Sequence, residues 1–298
     1  MNGTPKAVIE IDGLTKEFDI GLRGVRLRAV DHLGLSIPRG GIFGLLGPNG
    51  SGKSTTIKII LGLMQPTSGT CRVLGGSAAD PDVRRRIGYL PESPDFYRFL
   101  TGWELVEFYG RMSGLSGAVL GESVERVLDR VGLVEASRRK IGTYSKGMLQ
   151  RAGLAQALVH DPDLIILDEP TAGVDPIGAQ MIAEIILALK ASGKSVLLSS
   201  HLLAQVEGVC DRVAILDRGK VVLEGSVEEL LSEKNRRMAV FEGLPVEKES
   251  ALLAWLEANG AAGASIDNPR TTLDQIFIDR VGKGTAGESG DKIQEVRP

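Results

Sequence analysis

The sequence predicts an α/β fold built on a parallel sheet with helices on both faces. Three observations carry that reading. Leu164–Leu167, Val196–Leu198 and Val213–Leu216 are short apolar runs with little alternation, as expected of strands covered on both sides. The helical stretches Gln180–Lys190 and Leu202–Val209 fall between them, and alternating strands and helices build layered α/β cores. Ile42–Leu46 is a further apolar run that enters the Gly-rich GPNGSGKST. After it, Ile57, Ile60, Leu61 and Met64 form one helical stripe over Ser54–Met64.

The other elements follow in chain order. Ala7–Pro38 reads as strands: Val8, Ile9 and Ile11 come first, and Leu33, Leu35 and Ile37 alternate with Gly34 and Ser36 later. Pro94–Lys140 lacks β-branched runs and has helical periodicity in Trp103–Met112 and Glu122–Val131. It is expected to be a helical subdomain, about residues 94–150, inserted into a core domain spanning residues 1–235. Strand-like Met238–Phe241, with helix-like Glu247–Ala258 and Leu273–Val281, predicts a small α+β appendage over residues 236–281. Residues 282–298, GKGTAGESGDKIQEVRP, are expected to form a mobile tail.

Composition narrows the function. The 298 residues are 43% hydrophobic and 24% charged, which excludes wholesale disorder. The formal net charge of −3 gives no basic field for nucleic acid. The first ten residues, MNGTPKAVIE, hold no apolar signal-peptide core, and no run approaches a membrane-spanning length. Cys71 and Cys210 stand far apart without C-x-x-C spacing and read as two reduced core thiols rather than a disulfide. These features are those of a soluble, intracellular protein.

Gly47-Pro48-Asn49-Gly50-Ser51-Gly52-Lys53-Ser54 matches the phosphate-loop pattern G-x-x-x-x-G-K-[ST] in full, and Thr55 closes the motif. Glycines let backbone N–H groups curl around a polyphosphate, and the helix that follows points its N-terminus at the charge. Lys53 would reach the β- and γ-phosphates of ATP and the Ser54 hydroxyl would ligate Mg²⁺. An ordinary Gly-rich turn is the competing reading, and the position between strand and helix argues against it. Leu164–Leu167 then delivers Asp168 to a strand's carboxyl end, where open α/β sheets bind ligands. Asp168 can hold Mg²⁺ opposite Ser54, and Glu169 is placed to polarise a water against the γ-phosphate. By itself the pair could be a solvated acidic turn. His201, after Val196–Ser200, could donate a hydrogen bond to the γ-phosphate or be structural; His32 and His160 read as structural.

The order of motifs adds to this. Tyr144-Ser145-Lys146-Gly147-Met148-Leu149-Gln150-Arg151 resembles the signature motif of the ATP-binding-cassette (ABC) ATPases, in the Y-S-K-G-M form. With GPNGSGKST, LIILDEP, Ala172-Gly173-Val174-Asp175-Pro176 and Ser199-Ser200-His201, every cassette motif stands in the family's order between about Ile9 and Leu231. The resemblance implies a P-loop NTPase cassette: a RecA-like parallel core, an N-terminal antiparallel β subdomain and the inserted helical subdomain. It also implies head-to-tail dimers in which Ser145 and the Gly147 backbone contact the γ-phosphate of the partner's ATP, with Asp175 at the same nucleotide interface. Ser145 suits an N-cap before a helix with Met148, Ala152, Ala155 and Val159 on one face, whose dipole would face phosphate. Phe18 looks like the aromatic that stacks on adenine, although the spacer Asp19–Arg28 is longer than in many cassettes.

Two departures stand out. Glu92 occupies the place where the family has a Gln sensing Mg²⁺ and the attacking water; a carboxylate can ligate the cation but cannot donate a hydrogen bond. Lys146 replaces the first Gly of the commoner L-S-G-G-Q. Both, with LPESPDFYRFLT and Thr272–Phe277, are similar to cassettes of ABC-2 type export systems. The expectation is an ATPase subunit of a membrane exporter, a homodimer held at the cytoplasmic membrane face by an integral membrane subunit. Phe96, Tyr97, Phe99, Trp103, Phe108 and Tyr109 cluster just after Glu92. About half of them would form the subdomain's own core and the rest a groove for a helix of that subunit. DNA-repair and ribosome-associated ABC ATPases are the alternatives. Neither the coiled coils and zinc cysteines of the first nor the second cassette of the other is present.

Overall fold

The computed structural model describes residues 7–20, 25–232, 244–261 and 264–266. It divides into two compact units, Met1–Leu231 and Ser232–Pro298.

In the first unit, β1 (Ala7–Ile20) and β2 (Val25–Pro38) form a long antiparallel hairpin. β3 (Ile42–Leu46) then leads into α1 (Lys53–Ile60). β4 (Ser68–Val73) and β5 (Gly76–Ser77) extend the hairpin into a four-stranded antiparallel sheet of order β2-β1-β4-β5. Ile9, Ile11, Leu33, Leu35 and Ile37 are buried while Glu10, Asp12, Gly34 and Ser36 are exposed. This one-sided alternation is what a half-covered antiparallel sheet requires.

After α2 (Pro81–Arg84) and β6 (Ile87–Leu90) come three helices, α3 (Gly102–Met112), α4 (Gly117–Arg130) and α5 (Lys146–Leu158). The chain then runs β7 (Leu164–Asp168), α6 (Pro176–Ala191), β8 (Ser195–Ser200), α7 (Leu203–Glu207), β9 (Arg212–Asp217), β10 (Lys220–Ser226) and α8 (Val227–Leu231). The second sheet has the order β10-β9-β3-β8-β7-β6, parallel except for β10 against β9. Every residue of β3, β7 and β8 is buried, so the unbroken apolar runs are those of a sheet covered on both faces. Alternate residues serve two cores. Ile42, Leu46, Ile165 and Leu167 join the core of α3, α4 and α5, and Phe43, Leu45, Leu164 and Ile166 join the hairpin and α1.

Several elements differ from expectation. The helix expected over Ser54–Met64 stops at Ile60. Gly62 and Leu63 turn their N–H groups back onto the carbonyls of Ile59 and Lys58, each at 2.9 Å, a closure that ends a helix at a left-handed residue. Met64 still packs on the same core as the stripe's other members. α4 begins five residues before Glu122, because its exposed first turn carries no apolar periodicity. β4, β6 and β10 fall outside the expected strands; β4 is mostly exposed and polar. Both cysteines are free, Cys210 buried and Cys71 half-buried.

Of the second unit, α9 (Val246–Ala258) answers to the expected Glu247–Ala258 helix and buries none of its side chains among the described residues. Met238–Phe241, Thr272–Phe277, Leu273–Val281 and the tail 282–298 lie outside the described residues. No helix among the described residues is long and apolar enough to cross a membrane.

Candidate nucleotide site

β3, β7 and β8 end side by side: Leu46 pairs with Ser200, and Asp168 with Ser199. The loop from Gly47 to Gly52 wraps over these ends. Gly47 has φ 148°, and a Cβ there would stand 2.2 Å from the Leu216 carbonyl oxygen. At Gly52, φ is 106° and the corresponding clash is with the Ala29 carbonyl at 2.6 Å. Only glycine fits both places. Ser51 N–H closes the loop onto the Pro48 carbonyl at 3.2 Å. Lys53, only 6% exposed, turns its ammonium back onto the carbonyls of Gly47 at 2.6 Å and Pro48 at 3.2 Å. Pro48, Asn49, Gly50 and Ser54 are not fully buried, and Thr55 is half-buried. The Ser51 hydroxyl is buried with no hydrogen-bond partner. A glycine-only cradle, a buried cation satisfied by neutral carbonyls and an orphaned hydroxyl fit a polyphosphate.

At the end of β7, Asp168 is buried and accepts a hydrogen bond from the Ser199 hydroxyl. Burial, above all, raises its carboxyl above the usual range; Glu92 and Glu169 push the same way, while Ser199 and Lys53 oppose them. Glu169 follows with φ 49°, a left-handed conformation that non-glycine residues rarely adopt. Its N–H donates to the Ser199 hydroxyl at 3.1 Å and to the Ser199 carbonyl at 3.2 Å. Such a conformation costs about 1–3 kcal/mol and persists where surroundings over-determine it. Here Ser199 does so. His201 Nδ1 lies 2.9 Å from Glu169 Oε2, and because a carboxylate only accepts, Nδ1 carries the proton. Glu92, exposed two residues beyond β6, acts on the same cluster. The Tyr89 hydroxyl is pushed up to about 12, by burial first and then by the charges of Asp168 and Glu92. Lys53, Asp168, Glu169, His201 and Glu92 thus come together from four strand ends.

Other expected site residues stand apart from this cluster. Ser145 caps α5, its hydroxyl accepting the Met148 N–H at 3.3 Å. Asp175 caps α6 through the Gly178 N–H at 2.9 Å. Gly147 is buried close to Val174. Among the described residues no hydrogen bond joins Ser145 or Asp175 to the phosphate loop. Phe18 pairs with Leu27 in the hairpin, two residues before Ala29, whose carbonyl closes over Gly52. The Lys16 ammonium sits 5.3 Å from the Phe18 ring centre. His160 lies within hydrogen-bond distance of the Ile87 carbonyl on β6, and His32 of its neighbour Asp31. Ser199 was legible only as part of the Ser199-Ser200-His201 motif; its contacts to Asp168 and the Glu169 N–H were not anticipated.

The family model for "ABC transporter" matches residues 30–172, from β2 through the turn after Glu169. An ABC transporter ATP-binding protein of Nostoc sp. is 43% identical over 235 residues, 78% of this chain and 70% of its own length. The chain belongs to the ABC transporter family. The daunorubicin/doxorubicin resistance ATP-binding protein DrrA of Streptomyces peucetius is 41% identical over 234 residues, 78% of this chain and 69% of its own. Among solved structures, a dimeric post-hydrolysis state of the cassette MJ0796 with ADP and Pi has a TM-score of 0.67 at 26% identity. It spans 74% of this chain and 98% of that one. The cassette's antiparallel sheet, parallel core and inserted helices are therefore those of a family fold, and the expectation from motif order holds.

Proposed function

We propose that this cassette is the ATP-hydrolysing subunit of a membrane exporter. The observation that carries the chemistry is Glu169, fixed in a left-handed turn by Ser199 and held by His201, beside Asp168 and Lys53. Lys53 leaves the Gly47 and Pro48 carbonyls for the β- and γ-phosphates, and the loop N–H groups line them. Ser54, Asp168 and Glu92 would hold Mg²⁺, which would neutralise charge on the phosphate oxygens. Glu169 accepts the proton of the attacking water. His201 orients Glu169 through Nδ1 and stands at the end of β8, within the same cluster as the γ-phosphate site. Phe18 stacks on adenine.

Two copies close head to tail, with Ser145, Gly147 and Asp175 of each completing the other's site. The exposed, capped start of α5 and the dimeric form of the MJ0796 cassette support this arrangement. Export is supported by the likeness to DrrA, a drug-resistance ATP-binding protein, and by the motif variants shared with ABC-2 type systems. An integral membrane subunit holds the cassette at the cytoplasmic face of the membrane. Its dock is the outward half of the aromatic cluster: Tyr97, Phe99 and Phe108 are exposed, whereas Phe96, Trp103 and Tyr109 pack on the core. The cassette domain, residues 1–235, is the working unit, and residues 236–281 are an appendage to it.

The test is Glu169→Gln. It should bind ATP normally, accumulate an ATP-bound dimer by size-exclusion chromatography and lose about 10²–10⁴-fold in turnover. Turnover at the level of the unmodified protein would remove Glu169 from the role of base.

A further inference from the structure

The helix that begins with Ser145 and Gly147 is fastened to the strand that leads to Glu92. Gly88 on β6 and Gly153 on α5 permit the close approach. A Cβ on Gly88 would stand 2.2 Å from the Ala157 carbonyl oxygen, and one on Gly153 would stand 2.4 Å from Leu90 Cδ1. β6 is an edge strand, and side chains of α5 and the turn after it cover its carbonyls. His160 Nε2 lies 3.3 Å from the Ile87 oxygen, and Gln156 Nε2 donates to Tyr89 at 3.5 Å. These two seal a sheet edge. Gln150 differs. It is 1% exposed, reaches beyond the strand to donate from Nε2 to the Glu92 carbonyl at 3.4 Å, and leaves its own Oε1 buried without a partner. An orphaned buried acceptor is a cost that an apolar side chain of equal length would avoid, so stability alone does not account for an amide here.

We propose that Gln150 is a positioning residue that ties Glu92 to the signature helix. Docking of a second copy on Ser145 and Gly147 then bears directly on the Glu92 side of this copy's own nucleotide site. The inference rests on the role given above to Glu92.

Gln150→Met keeps length and volume while removing both the donor and the orphaned acceptor. The thermal midpoint of the nucleotide-free protein should hold or rise, because the exposed Glu92 segment can turn its carbonyl to water. Amide exchange over residues 91–95 should quicken. With Mg²⁺ and ATP, kcat should fall roughly 3- to 10-fold at unchanged KM, the worth of one hydrogen bond. In a double-mutant cycle with Glu92→Ala, Gln150→Met should cost nothing further. A full additional loss in the Glu92→Ala background, or a thermal midpoint that falls in step with kcat, overturns the inference and leaves Gln150 a packing residue. If Glu92→Ala alone keeps full kcat, the role of Glu92 fails and takes the inference with it.

Discussion

The strand-end cluster and the outer face of the helical subdomain treat their side chains in opposite ways. At the strand ends, polar groups that usually face water are buried: Lys53, Asp168, Glu169 and Ser199. Each of them makes at least one hydrogen bond within the chain. On the helical subdomain, large apolar groups that usually go inside are exposed, among them Tyr97, Phe99, Phe108 and Met112. The first region has been assembled at a cost in desolvation and strain, which is how sites preorganised for chemistry are built. The second leaves large apolar side chains in water, as the proposed dock for a membrane subunit would. Substitutions in the first should therefore change what one chain does, and substitutions in the second only what it does with others.

The largest effect belongs to Lys53. Its ammonium is buried against two carbonyls, and Lys53→Ala removes the one cation in the phosphate loop. ATP affinity, followed by isothermal titration, should fall at least ~100-fold, as expected for losing a charge-assisted contact in a secluded site. A fall of only a few-fold would mean that backbone N–H groups alone hold the phosphates.

Ser199→Ala comes next. It strips the hydroxyl that donates to Asp168 and accepts from the Glu169 N–H. Buried groups left unpaired cost about 1–3 kcal/mol, so the thermal midpoint should drop by several degrees while turnover falls at least about tenfold. Turnover unchanged at a lowered midpoint would show that the left-handed turn at Glu169 survives without Ser199.

Asp168→Asn separates stability from function in the same cluster. The folded carboxyl sits above its unfolded value of 3.8, so its ionised form is disfavoured by folding. The native state therefore loses stability as pH rises from the unfolded value through the raised one, and the cost is full at neutral pH. The substituted amide would still accept from Ser199 without carrying the charge. The nucleotide-free variant should melt higher than the unmodified protein at pH 7, and the gap should close as pH falls toward 3.8. Mg²⁺-dependent turnover should be lost at every pH. A lower midpoint at pH 7 would mean that Lys53 and Ser199 outweigh burial.

How much of this was legible in the sequence follows the same division. β3, β7 and β8 could be read because burial on both faces forces an unbroken apolar run, and Lys53, Asp168 and Glu169 could be read because glycines and strand ends mark them. β4 could not be, since Ser68–Arg72 faces outward with no alternation to show it. Ser199 and Gln150 stand inside motifs, but what each one holds was not legible: each acts on a residue 30 or more positions away, which no local pattern reports. The outward aromatics were anticipated as a group, but which three turn outward depends on how α3 and the segment before it sit on the core.

Those three give the smallest effect on the isolated chain and the sharpest contrast between the two regions. Tyr97 and Phe99 are 65% and 69% exposed, their ring centres 5.6 Å apart. A Tyr97→Ser, Phe99→Ser double variant removes that contact and little else. Exposed positions of this kind shift stability by about 0.5 kcal/mol or less, so thermal midpoint, ATP affinity and soluble turnover should stay within error. Neither residue touches the strand-end cluster, so no route leads from the substitution to the chemistry. Association with the membrane subunit should weaken, because exposed aromatic anchors carry a large share of the energy at such interfaces. Solubilised membranes from cells making the tagged cassette should then retain less of the variant than of the unmodified protein. Equal retention would place the dock elsewhere, and a loss of soluble turnover would show that this face and the strand ends are not independent.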